Sequence, residues 1–203
     1  MNVHESVADH IIRVDPAFGR VVDAVGPFNP RPPIGDAFNS LASAIVFQQL
    51  AGRAARAIHG RFVALYDGHP TAEAILRTSV EHLKAVGLSA SKASSIFDLA
   101  HKTSDGTVPL DRLDELPDDE VVQRLTTVRG IGRWTAEMFL LFHLRRLDVW
   151  PVDDFGVRKG FAVIHRLDQP PTPRALAPMG DIYRPYRSVA AWYCWRAVDT
   201  VLP

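Results

Sequence analysis

Cysteine is nearly absent from this chain: Cys194 is the single one among 203 residues. One thiol excludes an internal disulfide, and it cannot by itself hold an iron–sulfur cluster or a structural zinc. No apolar run approaches the ~20 residues that a membrane-spanning helix needs. The opening residues hold Glu5, Asp9 and Asp15 and lack a basic stretch, so no secretory signal is expected. Strand-like alternation is missing as well. Leu147–Val152 is the only extended-looking run, and Pro151 spoils it as a ladder strand. There is no internal repeat and no low-complexity tract. These absences leave an all-α chain working in the cytoplasm or the nucleus as the expectation.

Net charge is also lacking, with 23 basic and 23 acidic side chains. The balance is unevenly spread. Residues 1–123 carry 11 Lys/Arg against 16 Asp/Glu, whereas residues 124–203 carry 12 against 7. Such a split suits one face turned to an anionic partner, and a chance distribution over helix surfaces would produce it as readily.

What the sequence has is apolar content, 47% of residues, set at helical spacing. A helix is expected over residues 37–50, with Asp36 as its N-cap and Phe38, Leu41, Ala42, Ile45, Val46 and Leu50 as its apolar side. Another follows over 53–66. A short one after Thr71 ends near Arg77. Thr78 with Glu81 makes a capping-box pattern for a helix to about Val86, which Gly87 stops. Ser89 caps a helix over 89–103. Asp118 to Leu125, Arg133 to Arg146, Asp153 to His165 and Tyr186 to Val198 complete the set, and Pro-rich breaks at 30–33 and 170–173 punctuate it. The count is roughly ten helices.

The most informative stretch is Leu125–Ala136. A helix ends, another starts near Arg133, and between them lies Val128-Arg129-Gly130-Ile131-Gly132. Glycines permit positive φ and leave the backbone bare. Consecutive amides in such a turn, beside a helix N-terminus, form a site for an anion such as phosphate. Ile131 would tuck inward to hold the two helices. An ordinary helix–turn–helix corner would use the same residues. Eighteen residues after Gly132 comes Trp150-Pro151-Val152-Asp153-Asp154-Phe155-Gly156. One of the two carboxylates can cap the next helix while the other faces the space before the glycine turn.

Here the sequence resembles the helix–hairpin–helix DNA glycosylases, and within them the 3-methyladenine DNA glycosylase II branch, which removes alkylated purines. Four segments carry the resemblance. Val128-Arg129-Gly130-Ile131-Gly132-Arg133-Trp134-Thr135-Ala136 matches the hairpin, with Trp134 where lyase-competent members place a lysine. Asp153-Asp154 matches the family's carboxylate pair, the second being catalytic. Ile45-Val46-Phe47-Gln48-Gln49-Leu50-Ala51 is similar to the helix end that carries the wedge. Tyr183 to Arg196, with Pro185-Tyr186-Arg187-Ser188, looks like the closing helix. Gly87-Leu88-Ser89 with Lys92 is a weaker match. Arg129 stands where the hairpin usually has proline, and Met138 where some members have a pocket aromatic.

The resemblance implies one compact helical unit over 1–203, with two lobes around a central cleft: residues 35–150, and residues 1–34 with 151–203. No N-terminal β domain is expected. It implies a monomeric, monofunctional enzyme that flips and excises alkylated purines from duplex DNA, without cofactor or catalytic metal. A monovalent cation where the hairpin meets phosphate is the one ion it suggests. Asp154 is the catalytic carboxylate. Trp134, Trp195, Phe47, Tyr193 and Met138 are the base-pocket candidates. Gln49 and Leu50 are the wedge and minor-groove residues. Val128, Arg129, Gly130, Ile131, Gly132, Arg133 and Thr135 are the phosphate-binding hairpin. The chemistry agrees with this assignment: a fixed carboxylate stabilises an oxocarbenium-like sugar, and aromatic faces hold a cationic base. Lys159 reads as a solvated lysine. The rival readings are a silent DNA-binding module, for which a carboxylate facing phosphates is of no use, and a glycosylase for oxidised or mismatched bases. Members of that second kind carry a hairpin lysine or four clustered cysteines, which this chain lacks.

Overall fold

A computed structural model describes residues 3–200, apart from Arg31, Ile34 and Ala51. Arg31, in the expected break at 30–33, and Ala51, which closes the Gln-Gln segment, therefore lie outside the described residues. Among the described residues there are twelve α-helices and no strand. They are α1 (Val3–Val14), α2 (Gly19–Val25), α3 (Ala37–Phe47), α4 (Gly52–Ala64), α5 (Ala72–Leu76), α6 (Val80–Ala85), α7 (Ala90–Ser104), α8 (Asp118–Thr126), α9 (Arg133–Phe142), α10 (Phe155–His165), α11 (Pro173–Met179) and α12 (Arg187–Asp199).

Side-chain caps set most helix starts. Asp36, Thr71, Ser89 and Thr172 each accept the amide three residues on. Four expectations need correction. α6 is capped by Ser79 rather than Thr78, whose hydroxyl instead donates to the Ala74 carbonyl inside the preceding turn. α9 stops at Phe142, four residues early, because His143 and Leu144 both turn their amides back to the Phe139 carbonyl and Arg145 adopts φ 60°. α10 starts at Phe155, after Asp154 rather than at Asp153. The proline cluster at 170–173 contains a helix start: Pro173 occupies the first position of α11, where its missing amide costs nothing.

The chain divides into two compact units, residues 1–32 with 145–203, and residues 33–144. In the second unit α7 packs on α3, α5 and α6, while α3 also meets α4 and α9, and α8 pairs with α9. Ile45, Ile96, Leu99, Leu113, Val121 and Leu125 are fully buried there. Each such side chain contributes about 1.5–3 kcal/mol by leaving water.

The first unit is built on the contact of α10 with α12. The core holds Ile11, Phe18, Phe161, Leu176, Tyr183, Tyr193 and Cys194. Two polar devices tie it together. The Tyr183 hydroxyl donates to Asp15 at 2.5 Å, and Asp15 also caps the turn Pro16–Phe18 through the Ala17 amide. Residues 147–150 look like a strand in sequence, yet side chains hold them rather than another strand. Ser188 accepts the Val149 amide and donates to the Arg146 carbonyl, while Arg187 clasps Asp148 through both carboxylate oxygens at 2.7 and 3.0 Å. The Arg-Ser start of α12 thus aims the segment that leads to Asp154.

Gly160 decides how closely α10 and α12 approach, since a Cβ there would sit 1.8 Å from the Cys194 carbonyl oxygen. Gly160→Ala is expected to destabilise the protein by about 1–3 kcal/mol or more, the range for overpacking a filled core. Gly19→Ala is the control: its Cβ meets no described atom within 4 Å, and it should leave stability equal or higher. Urea midpoints of the two variants check this.

Candidate active site

The hairpin is a tight turn whose two glycines serve different ends. The Ile131 amide donates to the Val128 carbonyl at 3.0 Å, and Gly130, third in the turn, has φ 79°. A left-handed residue at that place is the mark of a type II turn. Gly130 is also pressed from outside the turn, because a Cβ would stand 2.7 Å from the Ser95 hydroxyl. Gly132 meets neither constraint. Its φ is −89°, and no described atom lies within 4 Å of where its Cβ would stand. The fold does not require glycine there.

The hairpin's amides are only partly available. Ile131 spends its amide inside the turn, and Arg129 donates to Asp98 Oδ2 at 2.6 Å. Among the described residues, the amides of Gly130, Gly132 and Arg133 have no partner, and all three residues are exposed at the N-terminus of α9. The seven-residue set expected to bind phosphate therefore contracts. Val128, Ile131 and Thr135 are buried and hold the hairpin together, with Ile131 tucked inward. The Arg133 guanidinium donates to the buried Glu137 at 2.9 Å.

One face of α7 braces this region, and the sequence reading missed most of it. Lys102 donates to the Thr127 carbonyl and pairs with Asp98. Partial burial pushes the Asp98 carboxyl up, but the Arg129 amide and the Lys102 ammonium outweigh it and hold the group below its usual value. Lys92 donates to the carbonyls of Val46 and Gln48, both at 2.7 Å. Burial holds its ammonium below the ordinary lysine value. Gln48 in turn donates its side-chain amide to the Gly130 carbonyl at 2.8 Å.

This bracing explains why α3 ends at Phe47 rather than at residue 50. Gln48 is extended and Gln49 is left-handed at φ 54°, so the Gln-Gln pair forms a loop rather than a helix end. Leu50 then stands 38% exposed. Phe47, also 38% exposed, lies against the His59 ring. Trp134 is 45% exposed in the first turn of α9, and Met138, one turn on, is half-buried on the same side.

In the first unit Asp154 is both cap and candidate catalyst. The expectation that Asp153 and Asp154 divide these roles is overturned. Asp153 is exposed outside the helix, while Asp154 Oδ1 accepts the Val157 amide at 2.8 Å and the Trp195 indole N–H at 2.9 Å. The carboxylate is 9% exposed and faces the positive end of the α10 dipole. Gly156 makes room for this pair: a Cβ would lie 2.8 Å from Trp195 Cδ1 and 3.0 Å from Asp154 Oδ1. Tyr193 is corrected from pocket to core. It is fully buried, its hydroxyl donates to the Gly26 carbonyl, and burial pushes its phenol up to about 12. Lys159 is exposed. Asp154 and Trp195 thus meet in one unit, while Trp134, Met138, Phe47, Gln49, Leu50 and the hairpin belong to the other.

Asp98→Ala is expected to leave the Arg129 amide without its partner. That amide should then exchange with solvent deuterium about tenfold faster or more, from a loss of ~1–3 kcal/mol. Unchanged protection would mean that the hairpin holds its shape alone.

The geometry has counterparts among known proteins. The family described as HhH-GPD superfamily base excision DNA repair protein matches residues 42–178. DNA-3-methyladenine glycosylase 1 of Schizosaccharomyces pombe is 36% identical over 192 residues, covering 92% of this chain and 84% of that protein. The solved structure of the S. pombe 3-methyladenine DNA glycosylase in complex with abasic DNA superposes with a TM-score of 0.86 at 35% identity, over 97% of this chain and 98% of that one. A Bacillus halodurans DNA-3-methyladenine glycosidase structure gives a TM-score of 0.88 at 33% identity, over 96% and 89%. The match spans the hairpin, the Asp154 turn and the helices that hold them, and the chain belongs to the HhH-GPD superfamily of base excision DNA repair proteins.

Proposed function

We propose that this chain is a monofunctional DNA glycosylase of the alkylation-repair branch. It flips an alkylated purine of the 3-methyladenine type out of duplex DNA and hydrolyses its N-glycosidic bond. The observation that carries the reading is the Asp154 carboxylate, pinned by the Val157 amide and the Trp195 indole N–H. As the glycosidic bond stretches, positive charge develops on the deoxyribose. A carboxylate fixed beforehand stabilises that charge with no reorganisation at the moment of reaction. The same group can orient or deprotonate the attacking water. An N-alkylated purine with formal positive charge leaves readily, so no general acid is needed. A lyase step would need an amine nucleophile, and Trp134 stands at the hairpin position of the lysine.

The target atom is out of reach inside a duplex, so the base must be extruded. Leu50 is the apolar wedge that fills the vacated step. Trp134, with Met138 beside it, offers an exposed aromatic face for the flipped cationic base. The amides of Gly130, Gly132 and Arg133 take a phosphate, and the bare Cα of Gly132 lets the DNA backbone come close. A monovalent cation could join that contact through the carbonyls of Arg129 and Ile131, which keep no hydrogen-bond donor among the described residues, and it would add attraction for a phosphate oxygen. The protein works where DNA is, in the cytoplasmic nucleoid or the nucleus. No helix among the described residues is long and apolar enough to cross a membrane.

Asp154→Asn tests the chemistry cleanly, because asparagine caps a helix as well as aspartate does. Excision should fall by about 10²-fold or more. Melting temperature and affinity for an abasic-site duplex should hold. Wild-type turnover in this variant would remove Asp154 from catalysis. Base release from a panel of modified duplexes then ranks the lesions.

Gly132→Asp tests the clamp. Position 132 is the N-cap of α9 with extended ψ, a setting that favours aspartate, so the variant should fold at least as stably. Its negative charge would still oppose a phosphate. Binding should weaken equally for every lesion and for abasic DNA, since phosphate contacts carry no sequence information. Unchanged affinity would take the hairpin out of the DNA interface.

A further inference from the structure

Two segments far apart in sequence are joined in the second unit by a chain of three hydrogen bonds. Lys92 Nζ donates to the Val46 and Gln48 carbonyls, and Gln48 Nε2 donates to the Gly130 carbonyl, 82 residues on. Gln48 is thus held at both its backbone and its side chain. Next to it Gln49 sits at φ 54°, a strained conformation that a non-glycine residue keeps only where its surroundings impose it. Leu50 follows, exposed.

The placement of Lys92 is informative in itself. It lies in the first turn of α7, where the helix dipole disfavours a cation, and its ammonium is turned away to the C-terminus of α3, where the dipole favours one. There it satisfies carbonyls that the broken helix leaves open. A helix end could be closed by water or by a following glycine. A half-buried lysine from another helix instead fixes the direction in which the chain leaves.

We infer that Lys92 and Gln48 are positioning residues that lock the Gln48–Leu50 loop to the hairpin, so that insertion of Leu50 into the base stack and capture of phosphate at Gly130–Arg133 occur as one rigid step. This rests on the reading of Leu50 as wedge and of the hairpin as clamp. A lysine that merely closed a helix would lower stability evenly. A lysine that works through Leu50 loses its effect once Leu50 is gone.

Single-turnover excision of an alkylated purine, in matched and in mismatched duplexes, is measured for wild type, Lys92→Met, Lys92→Arg, Gln48→Met, Leu50→Ala and the Lys92→Met/Leu50→Ala double variant. Lys92→Met and Gln48→Met should each slow excision from the matched duplex by about tenfold, and less from the mismatched one, where flipping is easier. Lys92→Arg should recover most of the loss. The double variant should be at most about twofold slower than Leu50→Ala alone. Matched excision at the wild-type rate in Lys92→Met, or a loss that multiplies undiminished onto Leu50→Ala, overturns the coupling. If Lys92→Met does not fold, Gln48→Met, which cuts only the link to Gly130, decides in its place. A wild-type chain that releases no base overturns the glycosylase reading instead. The coupling is then judged by the same cycle on the fluorescence of 2-aminopurine beside an abasic site.

Discussion

Backbone polar groups freed where helices stop must be paired, and that constraint organises the regions that hold the candidate site. α3 ends beside the Gln48–Leu50 loop, α8 ends and α9 begins at the hairpin, and α10 begins at Asp154. At the end of α3 the donor is Lys92. At the hairpin Asp98 takes one amide and Lys102 one carbonyl, both from α7. At α10 the acceptor is Asp154 itself. The amides of Gly130, Gly132 and Arg133 stay unpaired among the described residues, and the polarity of α9 makes them suited to an anion.

Side chains that close helix ends therefore also set functional geometry. Asp154 shows the economy of this. One oxygen accepts a helix amide and an indole N–H, so the rotation of the carboxylate is set before any substrate arrives. That is the kind of preorganisation from which electrostatic stabilisation of a developing cation gains most. The support runs deeper than the two donors. Trp195 reaches Asp154 because Gly156 yields space to the indole and Gly160 lets α12 lie against the α10 backbone. Arg187 and Ser188, at the other end of α12, hold the extended segment that feeds the Asp154 turn.

Local signals were legible in the sequence, and long-range ones were not. Asp36, Thr71 and Ser89 cap as their spacing suggests, because an N-cap bonds to an amide three residues away. Ile131 points inward, as an apolar residue between two glycines at a helix corner must. The early end of α3 depends on a lysine 44 residues from Gln48, and no window over 37–50 contains it. Tyr193 carries the same letters as a stacking aromatic, and only its full burial assigns it to the core. Asp153 and Asp154 are alike on paper. What separates them is the turn after Pro151, which leaves Asp153 in solvent and brings Asp154 to the helix start. The helix over 173–179 hid behind its prolines, although Thr172 followed by Pro173 is a proper start signal.

The two hairpin glycines show how structure separates residues that a motif presents as equivalent. Gly130 is bound by the protein: its φ of 79° and the Ser95 hydroxyl at 2.7 Å from a Cβ both forbid a side chain. At Gly132 the backbone is ordinary, and a Cβ there would meet no described atom within 4 Å. An N-cap with free choice would gain stability from Ser, Thr, Asp or Asn. Glycine gives up that capping hydrogen bond and adds conformational entropy to the unfolded chain. Among the described residues nothing demands that loss of stability. The proposed clamp supplies such a demand: a DNA phosphate backbone drawn to the positive end of α9 has the charge and the contour to use a bare Cα.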